Sequence, residues 1–279
     1  MKKLIALMLV LALAFAFAAC NNSTTPNDGD VDNDANDLVN ELDQDIFTMP
    51  DTLKLGLDAS FPPMGYTDET GAIVGFDIDM AKAVCDYYGI ELECIPIEWD
   101  NKDAELATGT IDCIWNGLTI TNERLENYCM SRPYLANRQV VVVTNDSEIA
   151  TLADLAGKTV ALQSDSSASE ALEANEEVNA SIAQKVELLD NLTALMDLQA
   201  GNVDAVILDE VVANYVITEN GYPLTVLEES LAPEEYGIGF AKENADLCAA
   251  VEAALEALKA DGTLAEISFK WFGEDKVIF

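Results

Sequence analysis

Histidine is absent from the 279 residues, and bases are scarce: 14 lysines and arginines stand against 51 aspartates and glutamates, a formal net charge of −37. Without an imidazole there is no Ser-His-Asp triad, no Cys-His pair and no histidine ligand for a metal. General acid–base work would fall to carboxylates, Lys, Tyr or Cys, a narrower menu. The shortage of Lys and Arg argues against the phosphate contacts that nucleic acid requires, so no nucleic-acid partner is expected. No C-x-x-C pair occurs, and without histidine a zinc site is not expected either; no cofactor is implied. What is present is a hydrophobic half, 50% of the residues, enough for real cores in a length that suits about two domains. This composition favours a soluble binding protein over an enzyme.

One apolar run is long. Lys2 and Lys3 precede uncharged sequence from Leu4 to Ala19 that ends at Cys20. A basic start, a hydrophobic stretch and a small-residue cleavage site read as an export signal over residues 1–20, and the run is short of the about 20 residues a membrane span needs. Phe17-Ala18-Ala19-Cys20 resembles the lipobox of bacterial lipoproteins, whose cysteine is lipid-modified, with Phe17 in place of the usual Leu. The expectation is a lipid anchor at Cys20 on the extracytoplasmic face of the cell membrane; a plain secretory signal with an incidental cysteine is the alternative. Residues 21–51 are rich in Asn, Asp, Ser and Thr and contain no base, which reads as an acidic, disordered tether. Fully extended, about 30 such residues reach on the order of 100 Å. Asp30, Asp32, Asp34 and Glu41 also fall at positions 1, 3, 5 and 12 of an EF-hand loop, but Ala35 stands where its glycine belongs. An acidic spacer is the preferred reading, and no metal site is expected.

Beyond Pro50 the pattern changes. Apolar runs at Leu53–Leu57, Leu92–Ile97, Ile111–Trp115, Val140–Val143, Val160–Leu162 and Ala205–Leu208 predict buried strands. Helical spacing occupies Phe76–Tyr88, Asp100–Ala107, Ser167–Ala174, Leu192–Gln199, Glu210–Ile217, Ala245–Ala260 and Leu264–Trp271. Alternation of this kind predicts an α/β fold, with parallel sheets covered by helices on both faces. Breaks near Thr144–Ser147 and Glu234–Tyr236 divide it into lobe 1, residues 52–143 with 237–279, and lobe 2, residues 144–236. Ligands of such sheets sit at the carboxyl ends of strands, beside helix N-termini. The residues at those places are Asp58 and Phe61, then Asn116, Gly117 and Thr119, then Gln163 to Ser167, then Asp209.

Only three arginines exist, Arg124, Arg132 and Arg138. A guanidinium presents paired donors that match a carboxylate. Arg124 follows the Gly117–Thr121 turn where a helix would start on Thr121, whereas Arg132 and Arg138 read as surface residues in local ion pairs. Ser164, Ser166 and Ser167 at a helix start offer free N–H groups to an anion, and Asp209 suits an ammonium. Arg124, the serine turn and Asp209 together describe a cradle for a zwitterion.

The stretch Leu53-Lys-Leu-Gly-Leu-Asp-Ala-Ser-Phe-Pro-Pro-Met-Gly-Tyr, followed by Gly75-Phe-Asp-Ile-Asp-Met, resembles the opening of family 3 solute-binding proteins, the polar amino-acid receptors of ABC importers. Gly109-Thr-Ile-Asp-Cys-Ile-Trp-Asn-Gly-Leu-Thr-Ile-Thr-Asn-Glu-Arg, Leu155-Ala-Gly-Lys-Thr-Val-Ala-Leu-Gln, Gly201-Asn-Val-Asp-Ala-Val-Ile-Leu-Asp, Tyr236-Gly-Ile-Gly-Phe-Ala-Lys and Lys270-Trp-Phe-Gly continue it in order to about residue 274. The resemblance implies a periplasmic-binding-protein-like fold of type II, two parallel-sheet lobes joined by a two-strand hinge. It implies that Phe61 stacks on the ligand side chain, that Gly117 (through its carbonyl), Thr119 and Asp209 hold the α-ammonium, and that Arg124 clamps the α-carboxylate with help from the backbone near Ser166. Asp58 and Trp99 would face the ligand's side chain, and Trp115 reads as core. Asn116 stands where Ser or Ala is frequent, and Asp165 replaces a common glycine. The partners implied are a polar amino acid and an ABC transporter permease, with the binding protein itself a monomer.

Beyond Cys20 the cysteines number five, Cys85, Cys94, Cys113, Cys129 and Cys248. An odd number leaves at least one free, and small buried hydrophobes with one bridge at most is the expectation. Two classes of function remain: a binding protein that closes on an amino acid and delivers it to a permease, and an exported enzyme on the same fold, similar to amino-acid dehydratases. The zwitterion cradle and tether favour the first.

Overall fold

The structure, a computed structural model, describes residues 47–279. The export signal, Cys20, most of the acidic tether and the EF-hand-like carboxylates Asp30, Asp32, Asp34 and Glu41 lie outside the described residues. In chain order, β1 (Thr52–Leu57) leads into a small antiparallel sheet of β2 (Ser60–Phe61), β3 (Gly65–Thr67) and β4 (Ile73–Val74). Next come α1 (Phe76–Tyr88), β5 (Glu91–Pro96), α2 (Lys102–Ala107), β6 (Cys113–Thr119), α3 (Asn122–Asn127), β7 (Tyr128–Met130) and β8 (Leu135–Thr144). The chain continues through β9 (Thr159–Gln163), α4 (Ser167–Ala174), α5 (Glu176–Ser181), β10 (Gln184–Leu188), α6 (Asn191–Ala200) and β11 (Ala205–Asp209). It ends with α7 (Glu210–Asn220), β12 (Leu224–Ala241), α8 (Ala245–Ala260) and α9 (Thr263–Phe272).

Successive residues of the central strands enter different cores, which is why these segments read as continuous apolar runs rather than alternating ones. Val140, Val142, Ala161, Val206 and Leu208 belong to one core, while their neighbours Val141, Val143, Val160, Leu162, Ala205 and Ile207 belong to another. In β6 the same alternation sends Cys113 and Trp115 into the first core and Ile114 and Leu118 into a third, under Trp99 and Leu106. Both faces of the sheet are therefore covered.

The large sheet runs β10-β9-β11-β8-β12-β6-β1-β5, with β7 added to β12. It has the form that the resemblance implies, two parallel groups joined by a pair of strands. Two parallel groups, β10-β9-β11 and β6-β1-β5, flank a pair of antiparallel strands, β8 and β12, which join them. Val140–Val143 marks only part of β8, and β12 lacks an apolar run over most of its length because Glu228, Glu229, Pro233, Glu234 and Glu235 interrupt it. Its pairing with β8 shifts register between Val226 and Ser230 and again between Ser230 and Ala232. A strand paired in this irregular way, with a partly exposed middle, carries no period-two signal. The edge strand β10 was hidden for a similar reason, since Gln184 and Glu187 are exposed.

The five described cysteines carry free thiols. Cys94 and Cys113 flank Leu55 in register, and Phe240 pairs with both Cys113 and Cys129, so the strand cysteines form one row across β5, β1, β6, β12 and β7. Cys85 of α1 and Cys248 of α8 join the same core.

Helix α1 shows how a local rule positions the later site. Phe76, Met80 and Val84 recur at four-residue spacing and are fully buried; Gly89 ends the helix in the left-handed conformation. At its start, the N–H groups of Phe76 and Asp77 donate to the carbonyls of Pro63 and Met64 at 2.8 and 2.9 Å. Only glycine fits immediately before them: Gly75 has φ +151°, and a Cβ there would lie 2.1 Å from the Met64 carbonyl oxygen. Substituting Gly75→Ala is expected to destabilise the protein by about 2 kcal/mol or more, lowering Tm by roughly 4–8 °C in calorimetry; an unchanged Tm would show that this junction yields freely.

Candidate functional site

The carboxyl ends of β1, β5, β6, β9 and β11 converge on one cavity, lined by Asp58, Phe61, Trp99, Asn116, Gly117, Thr119, Arg124, Gln163, Ser166, Ser167 and Asp209. The structure thus brings together eleven of the residues singled out in the sequence, whereas Ser164 and Asp165 of the same serine turn do not line the cavity. Trp115, fully buried, packs in the core behind them.

From β1, Asp58 enters as a turn acceptor: one carboxylate oxygen accepts the Ser60 N–H at 2.8 Å, the other accepts Gln163 Nε2 at 2.8 Å. Its own N–H donates to Asn116 Oδ1 at 3.0 Å. Burial pushes the Asp58 carboxyl up, more than those bonds bring it down, and Asp190 adds to the rise. Gln163 is oriented in turn by the Leu189 carbonyl and by Asn191, whose Nδ2 donates to Gln163 Oε1 at 3.3 Å.

Gly117 sits at a left-handed turn inside β6, with φ +59°, and a Cβ there would come 2.8 Å from the Phe61 ring and 3.2 Å from that of Tyr236. No other residue permits Phe61 and Tyr236 to close so tightly on the strand. The Gly117 N–H donates to Asp77 Oδ2 at 2.7 Å, and the Tyr134 hydroxyl donates to the same oxygen at 2.9 Å. Asp77, fully buried in the first turn of α1, is therefore the group that fixes this turn; burial pushes its carboxyl up to about 7, against the pull of those two donors.

Arg124 is 6% exposed. Thr121 caps α3 by accepting the Arg124 N–H at 3.2 Å, which turns the side chain back toward β6, where Nη1 donates to the Thr119 carbonyl at 2.8 Å. Glu170 Oε1 lies 3.8 Å from Nη2. The other two arginines pair at the surface, Arg132 with Glu252 and Glu256 and Arg138 with Glu210. Across the cavity, Ser166 caps α4, and Thr119 Oγ1 lies 3.0 Å from the Ser167 hydroxyl.

Asp209 ends β11 and begins α7. Oδ1 accepts the Tyr236 hydroxyl at 2.5 Å and Asn137 Nδ2 at 3.1 Å. Glu234 lies beside it, held by Asn137, by Gln139 and by the Thr119 hydroxyl at 2.8 Å. Burial first, then the charge of Glu234, pushes the Asp209 carboxyl well above the usual range. Sequence reasoning missed Asp77, Tyr134, Asn137, Glu234 and Tyr236 as parts of this site. Asp77 and Tyr236 stand in quoted motifs, but their role appears only through partners far along the chain.

Comparison with known proteins agrees with this geometry. The sequence pattern of the bacterial extracellular solute-binding proteins, family 3, matches residues 53–274. The L-cystine-binding protein TcyJ of Escherichia coli K12 is 32% identical over 229 residues, covering 80% of this chain and 84% of its own. The ABC transporter arginine-binding protein 1 of the same organism is 30% identical, covering 79% and 90%. Among solved structures, a substrate-binding protein of an ABC uptake transporter from Streptococcus pneumoniae with bound histidine superposes with a TM-score of 0.80 at 38% identity, covering 82% of this chain and 95% of that one.

The raised Asp77 carboxyl has a measurable consequence. Its folded value of about 7 lies above the ordinary 3.8, so between those values the folded protein keeps a proton that the unfolded chain has released. The contribution to stability is full below about pH 4 and is lost as pH rises to about 7. In Asp77→Asn this slope disappears, and Tm of the ligand-free protein is expected to fall less between about pH 4 and about pH 7 than in the wild type. Parallel Tm curves for the two proteins would show Asp77 ionised throughout.

Proposed function

Because the chain belongs to the bacterial extracellular solute-binding proteins of family 3, we propose that its cleft captures one free polar amino acid and delivers it to the membrane permease of an ABC importer. The family and the named relatives are binding proteins, and the fold is the periplasmic-binding-protein fold of type II. The observation that carries the amino-acid reading is the pairing of opposite charges in one cavity: Arg124 from the first turn of α3 and Asp209 from the end of β11. A zwitterion needs both within its own length.

In this reading Arg124 takes the α-carboxylate, supported by the N–H groups at the start of α4, while Asp209, Thr119 and the Gly117 carbonyl take the α-ammonium. Phe61 and Trp99 flank the side chain. Asp58, raised by burial and tied to Gln163, gains most from a side chain that donates hydrogen bonds or carries positive charge. Relatives described with arginine and histidine fit that preference. Residues 52–143 with 237–279 and residues 144–236 act as two lobes that rock about β8 and β12, the protein works as a monomer, and Cys20 carries the lipid that keeps it beside the permease. Lys2, Lys3, the apolar run and Phe17-Ala18-Ala19-Cys20 support the anchor. No helix among the described residues is long and apolar enough to cross a membrane.

Micromolar capture needs about −8 kcal/mol, more than a few hydrogen bonds from one lobe supply net. A thermal-shift screen over the twenty amino acids and L-cystine is expected to raise Tm for a polar or cationic subset. For that subset Arg124→Ala is expected to lower affinity by at least about 30-fold in calorimetry, with the ligand-free fold retained; full affinity in this variant would refute the carboxylate clamp. Replacing Cys20 by Ala is expected to shift the protein from the membrane fraction to the medium, and its retention on membranes would refute the anchor.

A further inference from the structure

Lysine is rarely buried unless paired, yet Lys102, at the start of α2, is 3% exposed. Its ammonium forms an ion pair with the Asp165 carboxylate and donates to the Asp165 carbonyl at 3.2 Å. It also stands 5.3 Å from the ring centre of Trp99, a wall of the cavity, within cation–π range. Asp165 lies in the turn between β9 and α4, on the far side of the cleft. Next to it, Ser164 donates to Asp100 Oδ1 at 2.7 Å. Two consecutive residues of one side thus grip Asp100 and Lys102 of the other.

The backbone of Asp165 is unusual. At φ +49° it is the one non-glycine residue with positive φ among the described residues, a conformation that glycine adopts without cost. What aspartate supplies there and glycine does not is a carboxylate. Arg124, Glu123, Glu170, Asp103 and Tyr128 line the adjoining cavity together with Lys102 and Asp165. Of these, Asp103 accepts the Tyr128 hydroxyl and Glu170 lies toward Arg124, while the acid paired with Lys102 is Asp165.

We propose that Lys102 and Asp165 form a clasp across the cleft that positions Trp99 and sets how long a captured amino acid is held. It acts on release rather than recognition, because neither residue lines the main cavity. Opening the cleft parts the ion pair. Lys102 is the costlier half to strand: with the Asp165 carboxylate gone, a buried ammonium keeps only a carbonyl oxygen and the Trp99 ring and is relieved by opening.

This inference rests on the reading of the cleft as an amino-acid site, and its test separates the two. L-Arginine serves as probe. In Asp165→Gly the left-handed backbone is relaxed, so ligand-free Tm is expected to stay equal or rise, while stopped-flow dissociation of L-arginine accelerates about tenfold with association little changed. Lys102→Met, which leaves no buried charge, is expected to accelerate release by less, and high salt is expected to speed release in the wild type more than in either variant. Equal dissociation rates in all three proteins would overturn the clasp, and a Tm loss in Asp165→Gly would reduce the contact to a structural one. Small-angle scattering of the ligand-free proteins gives a second reading: a more expanded Asp165→Gly supports the clasp, and identical profiles oppose it. If L-arginine binds to none of the proteins, this arm still decides the clasp while the arginine preference fails alone.

Discussion

Charge taken out of water is the constraint around which the cleft is arranged. Asp58, Asp77, Lys102, Arg124 and Asp209 are each at most 8% exposed, and a buried charge without partners costs several kcal/mol. Four of them are met within the protein: Asp58 by Ser60 and Gln163, Asp77 by Gly117 and Tyr134, Arg124 by the Thr119 carbonyl, and Lys102 by Asp165. Asp209 differs in what adjoins it. Its donors Tyr236 and Asn137 are neutral, like those of Asp58 and Asp77, but the like-signed Glu234 lies beside it and shares Asn137. An ammonium brought to these carboxylates removes the repulsion, so a conflict within the protein becomes a source of affinity for the proposed ligand.

That arrangement depends on groups that are distant in sequence meeting at strand ends. In β6 the turn at Gly117 is set from behind by Asp77, in front by Phe61, and from β12 by Tyr236. Thr119, two residues on, faces Ser167 and Glu234. A displacement of α1 or β12 would therefore be felt at the cavity, which is why the junction at Gly75 matters to a site it does not line. The antiparallel pair β8 and β12 provides both the connection between the parallel groups and part of the site's chemistry, through Asn137, Gln139, Glu234 and Tyr236. Side chains that support the cavity and the connection between the two parallel groups thus occupy the same two strands.

How much of this was legible follows from the range of the forces involved. The bounds of α1, α4 and α8 are readable to the residue because spacing and caps are local: Gly75 and Gly89 bracket α1, and Ser166 caps α4. The cavity walls were readable because α/β sheets expose ligand groups at strand ends and because the motifs resemble those of a known family. The supporting groups were not. An acid in the first turn of a helix, such as Asp77, reads as a partner for the helix dipole, and a lysine in an acidic chain, such as Lys102, reads as surface. Their burial is decided by Gly117 and by Asp165, both far along the chain. In β12 the acids that erase its strand pattern include Glu234, which serves the cleft, so the feature that hid the strand is the one that matters to the site.

The scarcity of arginine completes the argument. Arg132 and Arg138 are neutralised by glutamates at the surface, leaving Arg124 as the arginine of the cavity wall, in a chain of net charge −37. Such a field repels anions at long range and attracts cations, so a free carboxylate is held only where the guanidinium reaches it. A ligand with a second carboxylate meets two penalties: the field outside, and Asp58 inside, already raised by burial and by Asp190. A second positive group meets neither. The same excess of acid that argues against nucleic acid thus acts within the proposed site as a filter, favouring zwitterions with neutral polar or cationic side chains over acidic ones.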